Sequence, residues 1–264
     1  MKTAVITGAS SGIGRATAAR LVAKGYRVFD LSRSENAQQG VEHISCDVTK
    51  TDTISAAFSL IKDKAGRIDL LILCAGMGIA GAIEFTTESE MQRQYDVNVF
   101  GPIRCIQAAL PIMRQQPKEG RERGRIVFVS SMAAVFGIPF QSMYSASKAA
   151  INAYAFSLRN EVKHYDIKVT ALMPGDVHTN FQRTTDLSGS DVYPHMKGAI
   201  EQMIHDEHNG MTSDQVARRV VKAATCRCPK VFYRSDLLSS LECLAQRIFT
   251  NSFANWIVGK MYHA

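Results

Sequence analysis

The chain has 264 residues, of which 46% are hydrophobic and 21% are charged. This composition excludes a disordered or fibrous protein and predicts one globular α/β domain over residues 1–264. The formal net charge of +7 comes from scattered lysines and arginines. Because the lysines and arginines form no long basic segment in the sequence, we expect no nucleic-acid partner.

The first element is an apolar, β-branched run, Lys2–Thr7, which predicts a strand. A glycine-rich turn follows at residues 8–14, and Arg15–Lys24 has the composition of a helix that ends at Gly25. Glycines in such a turn let backbone amides approach a phosphate, and the helix N-terminus favours negative charge. The segment therefore predicts a strand, a phosphate-binding turn and a helix.

Strands and helices alternate through the next 150 residues. The predicted strands are Arg27–Ser32, Val41–Cys46, Ile68–Cys74, Arg125–Ser130 and Ile167–Met173. The predicted helices are Thr49–Ala65, a long one over residues 86–116, and one that contains Tyr144 and Lys148. This order predicts a doubly wound parallel sheet, a Rossmann fold, with helices on both faces and ligands at the carboxyl ends of the strands.

The C-terminal third is less regular. Residues 176–211 show little periodicity and are interpreted as a substrate lid. A helix is predicted over Thr212–Ala224 and a last edge strand over Lys230–Tyr233. A helical extension over residues 237–262 carries an apolar stripe, typical of core or of a subunit contact, although peripheral membrane contact is the alternative.

The six cysteines, at positions 46, 74, 105, 226, 228 and 243, lack the spacing of metal ligands, so no metal site is expected. Free thiols are typical of a reducing compartment. No apolar run of eighteen residues and no signal-peptide pattern is present. We therefore expect a cytoplasmic protein without an integral membrane segment.

The sequence Tyr144-Ser-Ala-Ser-Lys148 places a phenol and an ammonium four residues apart, on one face of a helix. A fixed cation favours the phenolate, so Lys148 is expected to lower the pKa of Tyr144 towards neutrality. A tyrosine tuned in this way can exchange a proton with an alcohol or a carbonyl oxygen. Ser131 precedes Tyr144 by thirteen residues and completes the candidate site.

These motifs together resemble the short-chain dehydrogenase/reductase family over about residues 3–180. The turn Thr7–Gly14 resembles the family's TGxxxGIG, and Pro174–Thr179 resembles its PGxVxT segment. Cys74-Ala-Gly76 stands where the family usually has Asn-Ala-Gly. By this resemblance Asn98, Ser131, Tyr144 and Lys148 are the catalytic residues. The implied cofactor-binding residues are Gly8, Ser10, Ser11, Gly12, Ile13, Gly14, Ser32, Arg33, Asp47, Val48, Cys74, Ala75, Gly76, Tyr144, Lys148, Pro174, Gly175, Val177 and Thr179.

The resemblance implies hydride transfer between a nicotinamide cofactor and a carbonyl or a secondary alcohol. Tyr144 would exchange the proton, Ser131 would bind the substrate oxygen, and Asn98 would hold a water of the proton relay. Ser32 and Arg33, with Ser11, favour the 2′-phosphate of NADP(H). Asp30 leaves NAD(H) as the alternative, because a two-residue shift in register would bring its carboxylate to the ribose.

The predicted substrate is a large, weakly polar ketone or secondary alcohol, such as a steroid, a retinoid or another lipid. The substrate pocket would be lined by residues 77–83 and 132–143 and by Val177, Phe181 and Met196. The chain resembles the hydroxysteroid-dehydrogenase-like branch of the family, and the family makes a homodimer or homotetramer the expected assembly. Two rival readings are a non-catalytic NADP-binding sensor or scaffold and a sugar-nucleotide epimerase or dehydratase, although the latter usually has a differently spaced glycine turn.

Overall fold

The computed structural model describes residues 1–35, 37–179, 181–236 and 250–262, and for Asn251 the backbone alone. Within these ranges seven strands form one parallel sheet. Their bounds are β1 (Thr3–Thr7), β2 (Arg27–Ser32), β3 (Val41–Ser45), β4 (Leu70–Leu73), β6 (Gly124–Val129), β7 (Ile167–Met173) and β11 (Phe232–Arg234). The spatial order is 11-7-6-4-1-2-3, which is the doubly wound arrangement predicted from the sequence.

The remaining described strands are short and lie outside this sheet. They are β5 (Gly78–Ala80), β8 (Val177–His178), β9 (Arg183–Thr185) and β10 (Met211–Thr212). The described helices are α1 (Gly12–Val22), α2 (Thr51–Ala65), α3 (Glu88–Tyr95), α4 (Gly101–Gln115), α5 (Ser142–Glu161), α6 (Met196–His208), α7 (Ser213–Thr225) and α8 (Asn251–Met261).

Helices cover both faces of the sheet because each central strand is apolar on both sides. Val5 of β1 belongs to a core cluster that includes Phe58 of α2 and Ile151 of α5. Its neighbour Ile6 points to the opposite face and belongs to the cluster that includes Leu21 of α1 and Val220 of α7. A parallel strand buried on both faces reads as a continuous apolar run, which explains why these strands could be predicted.

Two predicted segments differ from the structure. The predicted helix over residues 86–116 is interrupted by a five-residue π-helical turn, Asp96–Phe100, between α3 and α4. It also starts later, because Thr87 caps α3 through a reciprocal pair of hydrogen bonds with Glu90. The lid prediction of an irregular segment over 176–211 missed α6, which packs Met196, Ala199, Ile200 and Met203 into a separate apolar cluster.

The C-terminal extension was predicted over residues 237–262. Residues 237–249 lie outside the described residues, and Asn251–Met261 is helical. Among the helices in the described ranges, none combines the length and apolar character needed to cross a bilayer.

Candidate active site

A cavity of about 610 Å³ lies at the carboxyl ends of the sheet strands. It straddles the point where β1 and β4 are neighbours and the strand order reverses, which is where open α/β sheets bind ligands. Every residue predicted to bind the cofactor lines it: Gly8, Ser10, Ser11, Gly12, Ile13, Gly14, Ser32, Arg33, Asp47, Val48, Cys74, Ala75, Gly76, Tyr144, Lys148, Pro174, Gly175, Val177 and Thr179.

The glycine turn between β1 and α1 is shaped for an anion. Gly8 and Gly12 have φ of +72° and +51°, and a Cβ at Gly14 would overlap the Gly8 carbonyl oxygen. The N-cap of α1, Ser11, makes no side-chain capping bond, and the first turn carries no acidic residue. The first-turn amides and the positive end of the helix dipole therefore face a space that fits a pyrophosphate.

The end of β2 resolves the register between Asp30 and Ser32. The buried Asp30 carboxylate accepts hydrogen bonds from the Ala9 amide (2.8 Å) and from the Ser32 hydroxyl (2.7 Å). It does not line the cavity, whereas Ser32, Arg33 and Ser34 do. Asp30 therefore braces the glycine turn from behind, and the serines and the arginine face the site.

Asp47 and Cys74 lie at the ends of β3 and β4. The Asp47 carboxylate accepts hydrogen bonds from the Thr49 amide (2.9 Å) and hydroxyl (2.8 Å). Burial opposes ionisation, but these bonds lower the pKa of Asp47 overall. At the Cys74 position the Thr7 hydroxyl accepts hydrogen bonds from the amides of Cys74 and Ala75, both at 3.1 Å. Thr7 thus braces β1 against β4 without the asparagine that the family usually has.

Tyr144 and Lys148 meet at this cavity, but their protonation differs from the sequence-based expectation. Burial raises the pKa of Tyr144 to about 12, while hydrogen bonding with the Ser131 hydroxyl acts to lower it. Burial also lowers the pKa of Lys148 to about 8. Lys148 Nζ lies 5.7 Å from the centre of the Tyr144 ring and donates to the Val129 carbonyl oxygen at 3.0 Å. Desolvation therefore outweighs the expected lowering of the phenol pKa by the lysine charge.

Asn98 lies in the π-helical turn and is buried behind the cavity wall rather than lining the cavity. Its side-chain amide forms hydrogen bonds with both backbone groups of Met77. Oδ1 accepts a hydrogen bond from the Met77 amide (2.9 Å), and Nδ2 donates one to the Met77 carbonyl oxygen (2.8 Å). Nδ2 also donates to the Ser147 hydroxyl at 3.1 Å. Asn98 therefore ties the chain after β4 to the helix that carries Tyr144.

The lid covers Tyr144 with one aromatic ring. Phe181 meets the Tyr144 ring nearly edge-on, with 5.8 Å between ring centres. Gly78 of β5 makes room for it, because a Cβ there would approach the Phe181 ring to 2.8 Å. Arg183 of β9, next to Phe181, forms an ion pair with Glu207 in the last turn of α6. The lid thus presents both an apolar ring and a charged pair beside the phenol.

Some lining residues differ from those predicted. Met196, the first residue of α6, is fully buried in a cluster with Ala80, Ala199 and Ile200 and does not line the cavity. Sequence reasoning missed Arg93, Met203, Glu207 and the apolar side chains of α8, namely Phe253, Ala254, Ile257, Val258 and Met261. The apolar stripe of α8 is present in the sequence, but its spacing does not indicate which surface it covers.

The short chain dehydrogenase family profile matches residues 2–188 of the chain. The chain belongs to the short-chain dehydrogenase/reductase family. It is 36% identical to a 3-ketodihydrosphingosine reductase from Bacteroides thetaiotaomicron, over 85% of this chain and 84% of the relative. It is also 36% identical to dehydrogenase/reductase SDR family member 7B from Rattus norvegicus, over 95% of this chain and 80% of the relative.

A crystal structure of a short-chain dehydrogenase from Streptomyces avermitilis superimposes with a TM-score of 0.83. The two chains are 28% identical, and the match covers 94% of each. As a short-chain dehydrogenase/reductase, the protein is an oxidoreductase that acts on carbonyl or alcohol groups of small molecules and uses a nicotinamide cofactor, NAD or NADP.

Proposed function

We propose that this protein is an NADP(H)-dependent reductase of a hydrophobic, long-chain ketone, with Asn98, Ser131, Tyr144 and Lys148 as its functional residues. When bound, NADPH supplies a hydride to the carbonyl carbon, and the products are NADP⁺ and a secondary alcohol. The observation that carries the proposal is the convergence of Tyr144, Ser131 and Lys148 on one cavity with the glycine turn.

Tyr144 donates a proton to the substrate oxygen as negative charge develops there. Its raised pKa, about 12, keeps the phenol protonated at neutral pH, which is the form that reduction requires. The Ser131 hydroxyl, next to Tyr144, hydrogen-bonds the same oxygen and stabilises its charge.

Lys148 holds the cofactor ribose and the proton path behind Tyr144. Among the described residues, the acceptor of a hydrogen bond from its Nζ is the Val129 carbonyl oxygen, so two of its three N–H groups remain for a ligand. Asn98 acts as a positioning residue, because its side chain fixes the Met77 backbone beside the lysine. The water-binding role that the resemblance implies for Asn98 stays a prediction.

Preference for NADP(H) is supported by the end of β2. The Arg33 side chain is exposed at the cavity and donates to the Gln182 side chain at 3.1 Å, and Ser32 and Ser34 flank it. A guanidinium can bind the 2′-phosphate of NADP(H), whereas NAD(H) binding usually needs a carboxylate at the ribose. The Asp30 carboxylate instead accepts hydrogen bonds from the Ala9 amide and the Ser32 hydroxyl.

A long-chain substrate is supported by the apolar wall that α8 adds to the cavity. Ile257 and Val258 line it together with Met132, Phe136 and Met203. The bacterial relative named for 3-ketodihydrosphingosine is consistent with a lipid ketone rather than a steroid. We propose self-association as well, because the π-helical turn that contains Asn98 leaves Phe100 exposed and α5, which carries Tyr144, leaves Tyr154 and Phe156 exposed.

The test is consumption of NADPH and of NADH with a panel of ketones of increasing chain length. We expect kcat/KM to be at least about tenfold higher with NADPH and to rise with chain length. The Tyr144→Phe variant should lose turnover while its Kd for NADPH changes little. Near-normal turnover by that variant would refute the role of Tyr144. Tight NADPH binding without turnover on any ketone would indicate a binding protein instead.

A further inference from the structure

A carboxylate on α6, outside the family machinery, lines the cavity. Glu207, in the last turn of α6, accepts hydrogen bonds from both terminal nitrogens of Arg183. The distance between Nη1 and Oε2 is 2.8 Å. A glutamate at a helix C-terminus opposes the helix dipole, so local helix stability does not account for its position. The bidentate pair fixes the carboxylate in one orientation.

The two partners of this ion pair face different surroundings. Glu207 lines the cavity, and 29% of its side chain is exposed, whereas Arg183 is 12% exposed and is not among the lining residues. The Arg183 guanidinium lies over the Phe181 ring at 5.8 Å from its centre. A carboxylate offers about four lone-pair sites, of which the arginine takes two. A ligand in the cavity therefore meets the negative end of the pair.

Glu207 also lies near the reacting position, because its partner Arg183 lies over the Phe181 ring and that ring packs on Tyr144. The charges of Glu207 and of Asp176, which lines the same cavity after β7, act to raise the pKa of Tyr144, and the charge of Arg183 acts to lower it. Arg93 of α3, Arg33 and Lys148 are the cationic lining residues. Arg33 donates to the Gln182 side chain and Lys148 donates to the Val129 carbonyl oxygen, whereas Arg183 donates to Glu207. Arg183 is therefore the cation that fixes the carboxylate.

We propose that Glu207, held by Arg183, binds an ammonium group on the carbon next to the reacting carbonyl, so that the substrates are long-chain α-amino ketones. This inference rests on the proposed function and narrows its substrate class. A cation in a partly dry cavity needs a charged, oriented acceptor, and Glu207 supplies one beside the proton donor. The ketone named for the bacterial relative, 3-ketodihydrosphingosine, has this chemistry.

The experiment compares two ketones of equal chain length that differ only in the α-amino group, at pH 7 with NADPH. We expect wild-type kcat/KM to be at least about tenfold higher for the amino ketone. In Glu207→Gln that preference should fall at least about tenfold. Asp206→Asn is the matched control: it removes the neighbouring carboxylate of α6, which bonds Gln202 and does not line the cavity, and should keep the preference.

Each outcome bears on the proposal separately from the proposed function. Reduction of neither ketone would refute the reductase itself. Equal reduction of both by the wild type, or an unchanged preference in Glu207→Gln, would overturn the ammonium site. Loss of the preference in Asp176→Asn alone would also overturn it, by assigning the cation to Asp176.

A measurement on the wild type covers the case in which Glu207→Gln does not fold. Dodecylammonium and 1-dodecanol are compared as inhibitors of neutral-ketone reduction. Inhibition at least about tenfold tighter by the amine supports the site, and equal inhibition contradicts it.

Discussion

The Phe181 ring lies nearly edge-on to the Tyr144 ring, at 5.8 Å between centres and 69° between planes. The lid therefore contributes to the burial that raises the pKa of Tyr144. The same ring borders the space in which a substrate must lie to reach the phenol, so one side chain links lid position, phenol protonation and substrate fit.

Replacing Phe181 with Ala should therefore raise KM for a long-chain ketone by roughly tenfold, since an aromatic contact of this kind and its buried area are lost. It should also lower the pKa of Tyr144, because water gains access to the phenol. Steady-state kinetics and the pH dependence of kcat/KM measure the two effects. Tyr165→Ala, which truncates an exposed ring that does not line the cavity, is the control and should change neither.

Gly14→Ala should abolish cofactor binding and destabilise the fold, because the new Cβ would overlap the Gly8 carbonyl oxygen. The measurement is thermal denaturation with and without NADPH. Gly198→Ala is the matched substitution within α6, where a Cβ meets nothing within 4 Å. That variant should be as stable as the wild type or more stable, by up to about 1 kcal/mol. An NADPH-dependent rise in Tm that survives in Gly14→Ala would contradict the phosphate-binding role of the turn.

The buried Lys148 predicts a specific dependence of stability on pH. Burial lowers its pKa in the folded chain from 10.5 to about 8. Between those pH values the unfolded chain binds the additional proton, so stability rises with pH across this window. Relative to Lys148→Met, the wild type without cofactor should gain on the order of 3 kcal/mol in free energy of unfolding between pH 8 and pH 10.5.

Urea denaturation of both proteins across this range measures the difference. The variant is the reference for the wild type, because groups distant from Lys148 titrate alike in the two proteins. A difference that stays constant with pH would mean that the lysine is not desolvated.

Ile257 tests the apolar wall formed by α8. It lines the cavity, so Ile257→Asn should raise KM for long-chain ketones several-fold and leave short ketones little affected. Trp256→Asn changes the adjacent residue, which is 56% exposed and does not line the cavity, and should have no comparable effect. Equal effects of the two substitutions on all chain lengths would mean that α8 acts on stability rather than on substrate binding.

The parts of the molecule that the sequence predicts well are those in which local pattern and function coincide. β1, the glycine turn and α1 are contiguous, and each is specified by its own residues, so their joint geometry follows from the chain itself. The i, i+4 spacing of Tyr144 and Lys148 likewise needs only a helix. The confirmed family and parallel sheet follow from these local units.

The features that were missed depend on contacts between distant segments. Nothing in the spacing of the α8 stripe indicates that Ile257 covers a cavity formed by the ends of β1 and β4. The pKa of Tyr144 was predicted from one neighbour, Lys148, whereas burial of both groups under the lid decides it. Residues 86–116 have a helical sequence pattern on both sides of Asp96–Phe100, so the pattern predicts one continuous helix and not the π-helical turn within it.

That turn has a consequence for the descent of the protein. A π-helical turn holds one residue more than a regular α-helical turn, so it is equivalent to a single insertion within an otherwise uninterrupted helix. Removing that residue would rotate α4 by about 100° relative to α3 and swing Asn98 away from Met77. The insertion and the asparagine therefore depend on each other, and substitution histories of this segment should show them gained and lost together.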